Sequence, residues 1–387
     1  MKFWNLQETD IDRIALGAGI LGTGGGGSPY LGALMAKEQL RQGRRIRVIR
    51  PVDLAPDSMV LALGGIGAPT VGIEKMDEGD EGMRVLRSVE ALIGRRIDAV
   101  IADEIGGANG ISPMMTAAKL DIPVVDADGM GRAFPEVQMT TFFINGHPSA
   151  PSALADASGN VLVVTQATSP EMLEKLMRAG TIAMGCTAHM CTAPMSGDFV
   201  RRFGVPHTVS QAWRLGDAVL AARAAKTDPV AAVLKLEGGT LLLQGKVIDI
   251  GRKIEGGFVR GRMTIAGLGA FSGRSVEVDI QNEYLVARED GRTLAMVPDL
   301  ICMVDSETGR PIATEEQRYG LRVSVIAIPS PALLRTERAL ASVGPRAFGY
   351  GFDFEPLGEP NAVEPVHAYV NDKQMEREIL SAPVGAL

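Results

Sequence analysis

Residues 99–129, AVIADEIGGANGISPMMTAAKLDIPVVDADG, carry the pattern on which the fold turns. Two short runs rich in Val, Ile and Ala, AVIADEI (99–105) and PVVDADG (123–129), read as strands. Between them SPMMTAAKL has helical spacing and opens with Ser112 as cap and Pro113 at the first helical position. Strand, helix and strand in that order belong to a mostly parallel sheet covered by helices.

The rhythm continues outward. Strand-sized runs stand at IRVIR (46–50), MVLALGGI (59–66) and VLVVTQ (161–166), and GDEGMRVLRSVEALIG has helical spacing. Thr9 followed by Asp12 predicts a capping box that starts a helix through Ile14, Ala15 and Ala18. Ser169 and Pro170 repeat the cap of Ser112 and Pro113, and that helix closes at Gly180. After a helical segment near 208–225, short β-type runs broken by glycine take over from about residue 233, with Asp290-Gly291 as a hairpin turn. The expected architecture is an α/β N-terminal domain with a mostly parallel sheet over residues 1–168, followed by a β-rich domain over residues 169–387. The Pro- and Glu-rich tail from about 355 reads as a loosely packed return segment.

A chain of 387 residues with 46% apolar content is long enough for two cores. Its formal net charge of −7 argues against nucleic acid or an anionic membrane as the main partner and favours a small-molecule substrate. The start, MKFWNLQETDIDR, lacks the basic-then-apolar order of a secretory signal, and runs such as VLVVT are too short to span a membrane. Three cysteines make no disulfide framework, so a cytoplasmic location is expected. A homo-oligomer is left open.

GTGGGGSPYLG (22–32) invites a nucleotide and fails the test. A phosphate loop needs Lys and a hydroxyl directly after its last glycine, whereas Gly27 is followed by Ser28 and Pro29. A dinucleotide fingerprint on Gly22, Gly24 and Gly27 lacks its preceding strand and its acidic partner downstream. No nucleotide is expected. Gly24, Gly25, Gly26 and Gly27 then form either a nest of N–H groups for an oxygen ligand or a sharp turn between helices.

Three acidic loops follow three strands: Glu74 and Lys75 after the first, Asp103, Glu104 and Asn109 after the second, Asp126, Asp128, Arg132 and Glu136 on the third. Loops beyond the carboxyl ends of parallel strands are where α/β proteins bind ligands. Crowded carboxylates raise one another's pKa, which makes a proton carrier near neutrality, or they hold a divalent cation. The competing role for each Asp is a helix cap or an Asx-turn. Arg132 and Lys75 either neutralise this charge or clamp a substrate carboxylate. MGCTAHMCTAPMSG (184–197) offers Cys186, His189 and Cys191, without the fourth ligand or paired cysteines of a zinc site, and reads as buried and inert. No Ser-His-Asp or Cys-His order stands out, and Asn282, Glu283, Asp299 and Asp305 read as structural.

GTGGGGSPYLG, GAPTVGIEK, EIGGANGISP and VVDADGMGRAFPE, followed by NEYLVA, PDLI and TGRPIAT, resemble the S-methyl thiohydantoin desulfurase family. The resemblance spans nearly the whole chain. It implies hydrolytic removal of sulfur from carbon 2 of a thiohydantoin or its S-methyl derivative, giving a hydantoin and a thiol. Asp126 or Asp128 is then expected as base or metal ligand, with Glu104 as partner. Glu74 contacts ring N–H, Arg132 orients an acidic side arm, and Gly24 to Gly27 donate to the ring carbonyl, with Lys75 and Asn109 completing the binding set. The metal remains unknown. Alternatives are another cyclic-ureide hydrolase or isomerase, and a non-catalytic subunit beside a hydantoinase.

Overall fold

The computed structural model describes residues 2–72, 74–366 and 369–371. After β1 (Lys2–Asn5) the chain lays down β2 (Arg47–Ile49), β3 (Met59–Gly67), β4 (Ala99–Ala102) and β5 (Val124–Asp128). In space β2, β5, β4 and β3 are neighbours and parallel, with Val60 beside Ala99 and Val48 beside Val124. Their apolar side chains are buried on both faces, which is why β3 and β4 read as continuous apolar runs instead of alternating.

Antiparallel strands extend this parallel centre. β6 (Ser152–Ala155) and β7 (Val161–Val164) form a hairpin, and β8 (Thr187–Cys191) joins β6 to β3. VLVVTQ therefore lies antiparallel at the edge, because the Asp156–Asn160 turn before it is too short for a crossover. Short strands β9 (Met195–Ser196) and β10 (Val205–Pro206) pair with β3 and β5. The chain thus returns to its first sheet well after residue 168.

The helices Glu8–Leu21 and Thr208–Ala224 cover one face and press on each other through glycine. A Cβ on Gly17 would sit 1.9 Å from the Ala212 carbonyl oxygen, and one on Gly216 2.0 Å from that of Arg13. The first helix begins after Gln7, whose N–H donates to Asp10 at 2.8 Å. Thr9 and Asp12 lie inside its first turns, and Asp12 instead takes Lys37 at 2.6 Å, so the capping box falls earlier than the sequence suggests. Ser169 caps its helix as expected, accepting from Met172 N–H.

The second sheet is antiparallel throughout. Its strands are β11 (Thr240–Glu255), β12 (Phe258–Gly267), β13 (Ser275–Gln281), β14 (Glu283–Glu289), β15 (Arg292–Met296), β16 (Leu300–Asp305) and β17 (Arg322–Ile328). They lie in the order β15-β14-β13-β12-β11-β17-β16. Asp290 and Gly291, at φ 48° and 78°, make the tight turn between β14 and β15 that their sequence asks for. A last short strand, β18 (Val370–Asn371), pairs with β1, and the tail beyond it lies outside the described residues.

The glycine loop joins the two sheets. Tyr284 N–H donates to the Thr23 carbonyl and Thr314 N–H to that of Gly24, each at 2.8 Å. Among the described residues no helix is long and apolar enough to cross a membrane.

Candidate active site

A cavity of about 610 Å³ opens beyond the carboxyl ends of β3 and β4. The first turn of the Pro29–Arg41 helix, the loops after β4 and β5, β8, and the segments around Glu283 and Glu315 of the second sheet wall it. This is the edge at which a parallel sheet is expected to bind its ligand.

Asp103 lies on that wall, 2% exposed, and neither carboxylate oxygen has a hydrogen-bond partner. Its backbone is fixed on both sides: its N–H donates to Leu63 and its carbonyl accepts from Gly129, both at 3.0 Å. Burial, reinforced by the nearby charge of Asp128, pushes its carboxyl up to about 7. Glu104 beside it is held by Asn109 Nδ2 on Oε1 (2.6 Å) and Phe134 N–H on Oε2 (2.9 Å). Burial outweighs those hydrogen bonds and raises Glu104 to about 8. Asn109 in turn accepts from Gly65 N–H at 2.6 Å, which ties the loop after β4 to β3. Across the cavity Glu283 is 2% exposed with Oε2 unpartnered, and burial, with Glu104 nearby, lifts it well above the usual range.

Of the residues singled out in the acidic and glycine-rich loops, Asp103, Glu104, Asn109, Glu136, Lys75, Gly26 and Gly27 line the cavity. Lys75 Nζ is bound to the Met184 carbonyl at 2.6 Å. Glu74 is exposed on the loop beyond it and takes no part in the wall.

Asp126 and Asp128 lie behind the cavity. Asp126 accepts from Ser210 N–H (2.9 Å), Ser210 Oγ (2.7 Å) and Tyr369 OH (2.7 Å), with His207 Nδ1 at 3.2 Å, and so anchors the first turn of the Thr208–Ala224 helix. Asp128 accepts from the N–H groups of Ile105 (2.8 Å), Met130 (3.1 Å) and Gly131 (2.8 Å). Burial raises it to about 7 in spite of them. Both carboxylates hold backbone in place, and neither faces the cavity.

Arg132 is fully buried and also away from the cavity wall. It donates to the carbonyls of Ala133 (2.9 Å), Pro298 (3.2 Å) and Asp299 (2.8 Å) and to Thr23 Oγ1 (2.9 Å), with its guanidinium 4.5 Å from the Phe134 ring. Burial lowers its pKa to about 10, opposed by Glu283. The cations on the wall are Lys75 and Arg178, and Arg178 donates to Glu174 at 2.7 Å.

The glycine loop needs bare backbone because three neighbours press on it. A Cβ on Gly24 would lie 2.5 Å from the Tyr284 ring, one on Gly25 1.9 Å from Glu283 Oε1, and one on Gly26 2.3 Å from the Gly106 carbonyl. Gly24 and Gly25 are thereby spent on packing. The carbonyls of Gly26 and Gly27 accept from Ala108 N–H, and among the described residues nothing accepts from their own N–H groups.

Several cavity residues carried no functional signal in sequence. Glu283 stood among strands that read as structural. His189 sat in a segment read as inert, yet it lines the cavity between Asp77 and Ser112. Its place depends on β8 pairing with β3, a long-range contact that local pattern does not encode.

Residues 9–166 match the N-terminal domain of the S-Me-THD-like family and residues 168–357 its C-terminal domain. The chain belongs to the S-Me-THD-like family. This is the S-methyl thiohydantoin desulfurase family that the sequence motifs resemble, and its name suggests an enzyme. The S-Me-THD-like chain is also similar in fold to an X-ray crystal structure of a protein from Chromobacterium violaceum. The two are 24% identical with a TM-score of 0.75, over 92% of this chain and 100% of that one. No curated protein matches the chain. Among the described residues no group of three or more His, Cys, Asp or Glu is placed to hold a metal ion.

Proposed function

We propose that the S-Me-THD-like protein is a hydrolase that removes sulfur from carbon 2 of an S-methyl thiohydantoin or thiohydantoin, with Asp103 as the base. The observation that carries this is Asp103 itself, buried on the cavity wall with both oxygens free. A carboxylate at about 7 is matched to proton transfer near neutrality. Water adds to carbon 2 as the C2=N π pair moves onto the ring nitrogen, and it gives one proton to Asp103. The remaining hydroxyl proton passes to that nitrogen, the electron pair of the C2–S bond leaves with sulfur, and a carbonyl remains at carbon 2. Glu104, raised to about 8 by burial, holds a proton at neutral pH and presents it to ring or carbonyl atoms. The unsatisfied N–H groups of Gly26 and Gly27 are suited to the carbonyl oxygen of the ring.

The test is a chromogenic thiol assay on thiohydantoin and S-methyl thiohydantoin, with metal analysis of the same preparation. Thiol release that Asp103→Asn abolishes supports the reaction and the base. Release unchanged in that variant removes Asp103 from the reaction. A partner subunit without catalysis would release no thiol from either compound.

A further inference from the structure

His189 links two residues that sequence never brings together. Its Nε2 lies 3.1 Å from Asp77 Oδ2 and its Nδ1 3.3 Å from Ser112 Oγ. All three line the cavity, and they come from a rim loop, the second wing of the first sheet and the first turn of the Ser112–Leu120 helix. Ser112 was expected to cap that helix, but Ile111 holds the cap position, Ser112 is the first helical residue, and its side chain turns to the imidazole. The rim loop is held for the purpose: the N–H groups of Glu78 and Gly79 both donate to the Glu81 carboxylate at 2.7 Å.

Position matters as much as connectivity. His189 sits on β8 directly opposite Gly65 of β3, and Asp103 follows β4 on the other side of β3. A ligand over β3 has a free carboxylate towards one flank and an Asp-His-Ser chain towards the other.

We propose that Asp77, His189 and Ser112 form a proton relay whose hydroxyl end protonates the sulfur leaving carbon 2. The proposal rests on the hydrolysis described above. As the C2–S bond breaks, sulfur takes the electron pair together with the Ser112 hydroxyl proton, and Ser112 Oγ is reprotonated from His189 Nδ1–H. Asp103 meanwhile holds the proton from the attacking water. The cycle closes when Asp103 releases its proton to solvent and His189 takes one up. Burial disfavours the charged imidazole, but the Asp77 hydrogen bond and charge, with Glu81 nearby, leave His189 easier to protonate than a free histidine. Ser112 is the catalytic residue of the set, and His189 and Asp77 act through it.

Leaving-group chemistry separates this role from a structural one. Methanethiolate is basic and gains from protonation, whereas 4-nitrothiophenolate is stable as the anion. Ser112→Ala and His189→Gln, each verified as folded by circular dichroism and melting, are assayed with the S-methyl and S-(4-nitrophenyl) thiohydantoins. Methanethiol release is expected to fall about 10²- to 10³-fold and nitrothiophenolate release less than about tenfold. Asp77→Asn shows the same bias at smaller size, and Asp103→Asn slows both substrates alike. Equal slowing of both substrates by Ser112→Ala, or no slowing, overturns the relay and leaves the hydrolysis standing. Absence of thiol release by the unaltered protein from either substrate overturns the proposed reaction itself.

Discussion

The end of β4 and the end of β5 carry the same chemistry and use it in opposite ways. Each presents buried aspartate beside glycine-rich turns, and Asp103 and Asp128 are each raised to about 7. Asp128 accepts from three backbone N–H groups and Asp126 from a helix start and a tyrosine, while Asp103 has no donor at all. A carboxylate that gathers several backbone N–H groups holds the chain in place. One with no donor on either oxygen, buried at a cavity wall, costs stability, and such a cost is what a functional role for Asp103 would explain.

The sharpest way to break that contrast is to neutralise each side. Asp103→Asn is expected to reduce turnover by about 10³-fold, within the range of a lost general base. Its melting temperature should stay level or rise, since an unpaired buried acid is removed. Asp126→Ala is expected to reverse the pattern, costing about 3 kcal/mol in denaturant unfolding because Ser210 and Tyr369 lose their acceptor. Abolished turnover in a folded Asp126 variant would erase the distinction. Glu104→Gln should fall between, with about 10-fold lower kcat, read by steady-state kinetics at pH 7.

Acidity sharpens the comparison further. Asp103, Glu104 and Asp128 keep protons in the folded protein at about 7 to 8, where the unfolded chain, at 3.8 to 4.5, has released them. Folding therefore takes up protons, and stability should fall as pH rises from about 4 to about 8, with a shallower slope in Asp103→Asn. Activity should run the other way at first, rising through about pH 7 as Asp103 ionises. The smallest effect is expected for Gly27→Ala. Its φ of 73° strains any side chain, but the space around it is open, so about 1 kcal/mol of stability is lost in a urea melt.

Local pattern was enough for the elements. Apolar runs marked β3, β4 and β5, Ser169-Pro170 marked a helix start, and Asp290-Gly291 marked a hairpin, because each depends on residues close in the chain. It was also enough to pick the loop after β4, since Glu104 and Asn109 sit where parallel strands end. It could not rank the acids within that edge. Whether Asp103 or Asp128 is free depends on which backbone N–H groups the loops turn inward, and those turns are set by the fold. His189 and Glu283 stayed hidden for a similar reason, since β8 and β14 reach the cavity only through tertiary pairing. Arg132 was misplaced because a buried guanidinium that binds carbonyls looks, in sequence, like one that binds substrate.

That guanidinium acts as a strut. It touches Thr23 on one side and the carbonyls before β16 on the other, so shifting the second sheet would take from a buried cation the carbonyls that pair with it. Two walls of the cavity are thus locked to a common post. The rim around Met76 and Asp77 is tied separately, by Asp77 to His189 and by Glu78 and Gly79 to Glu81, so it stands apart from that post.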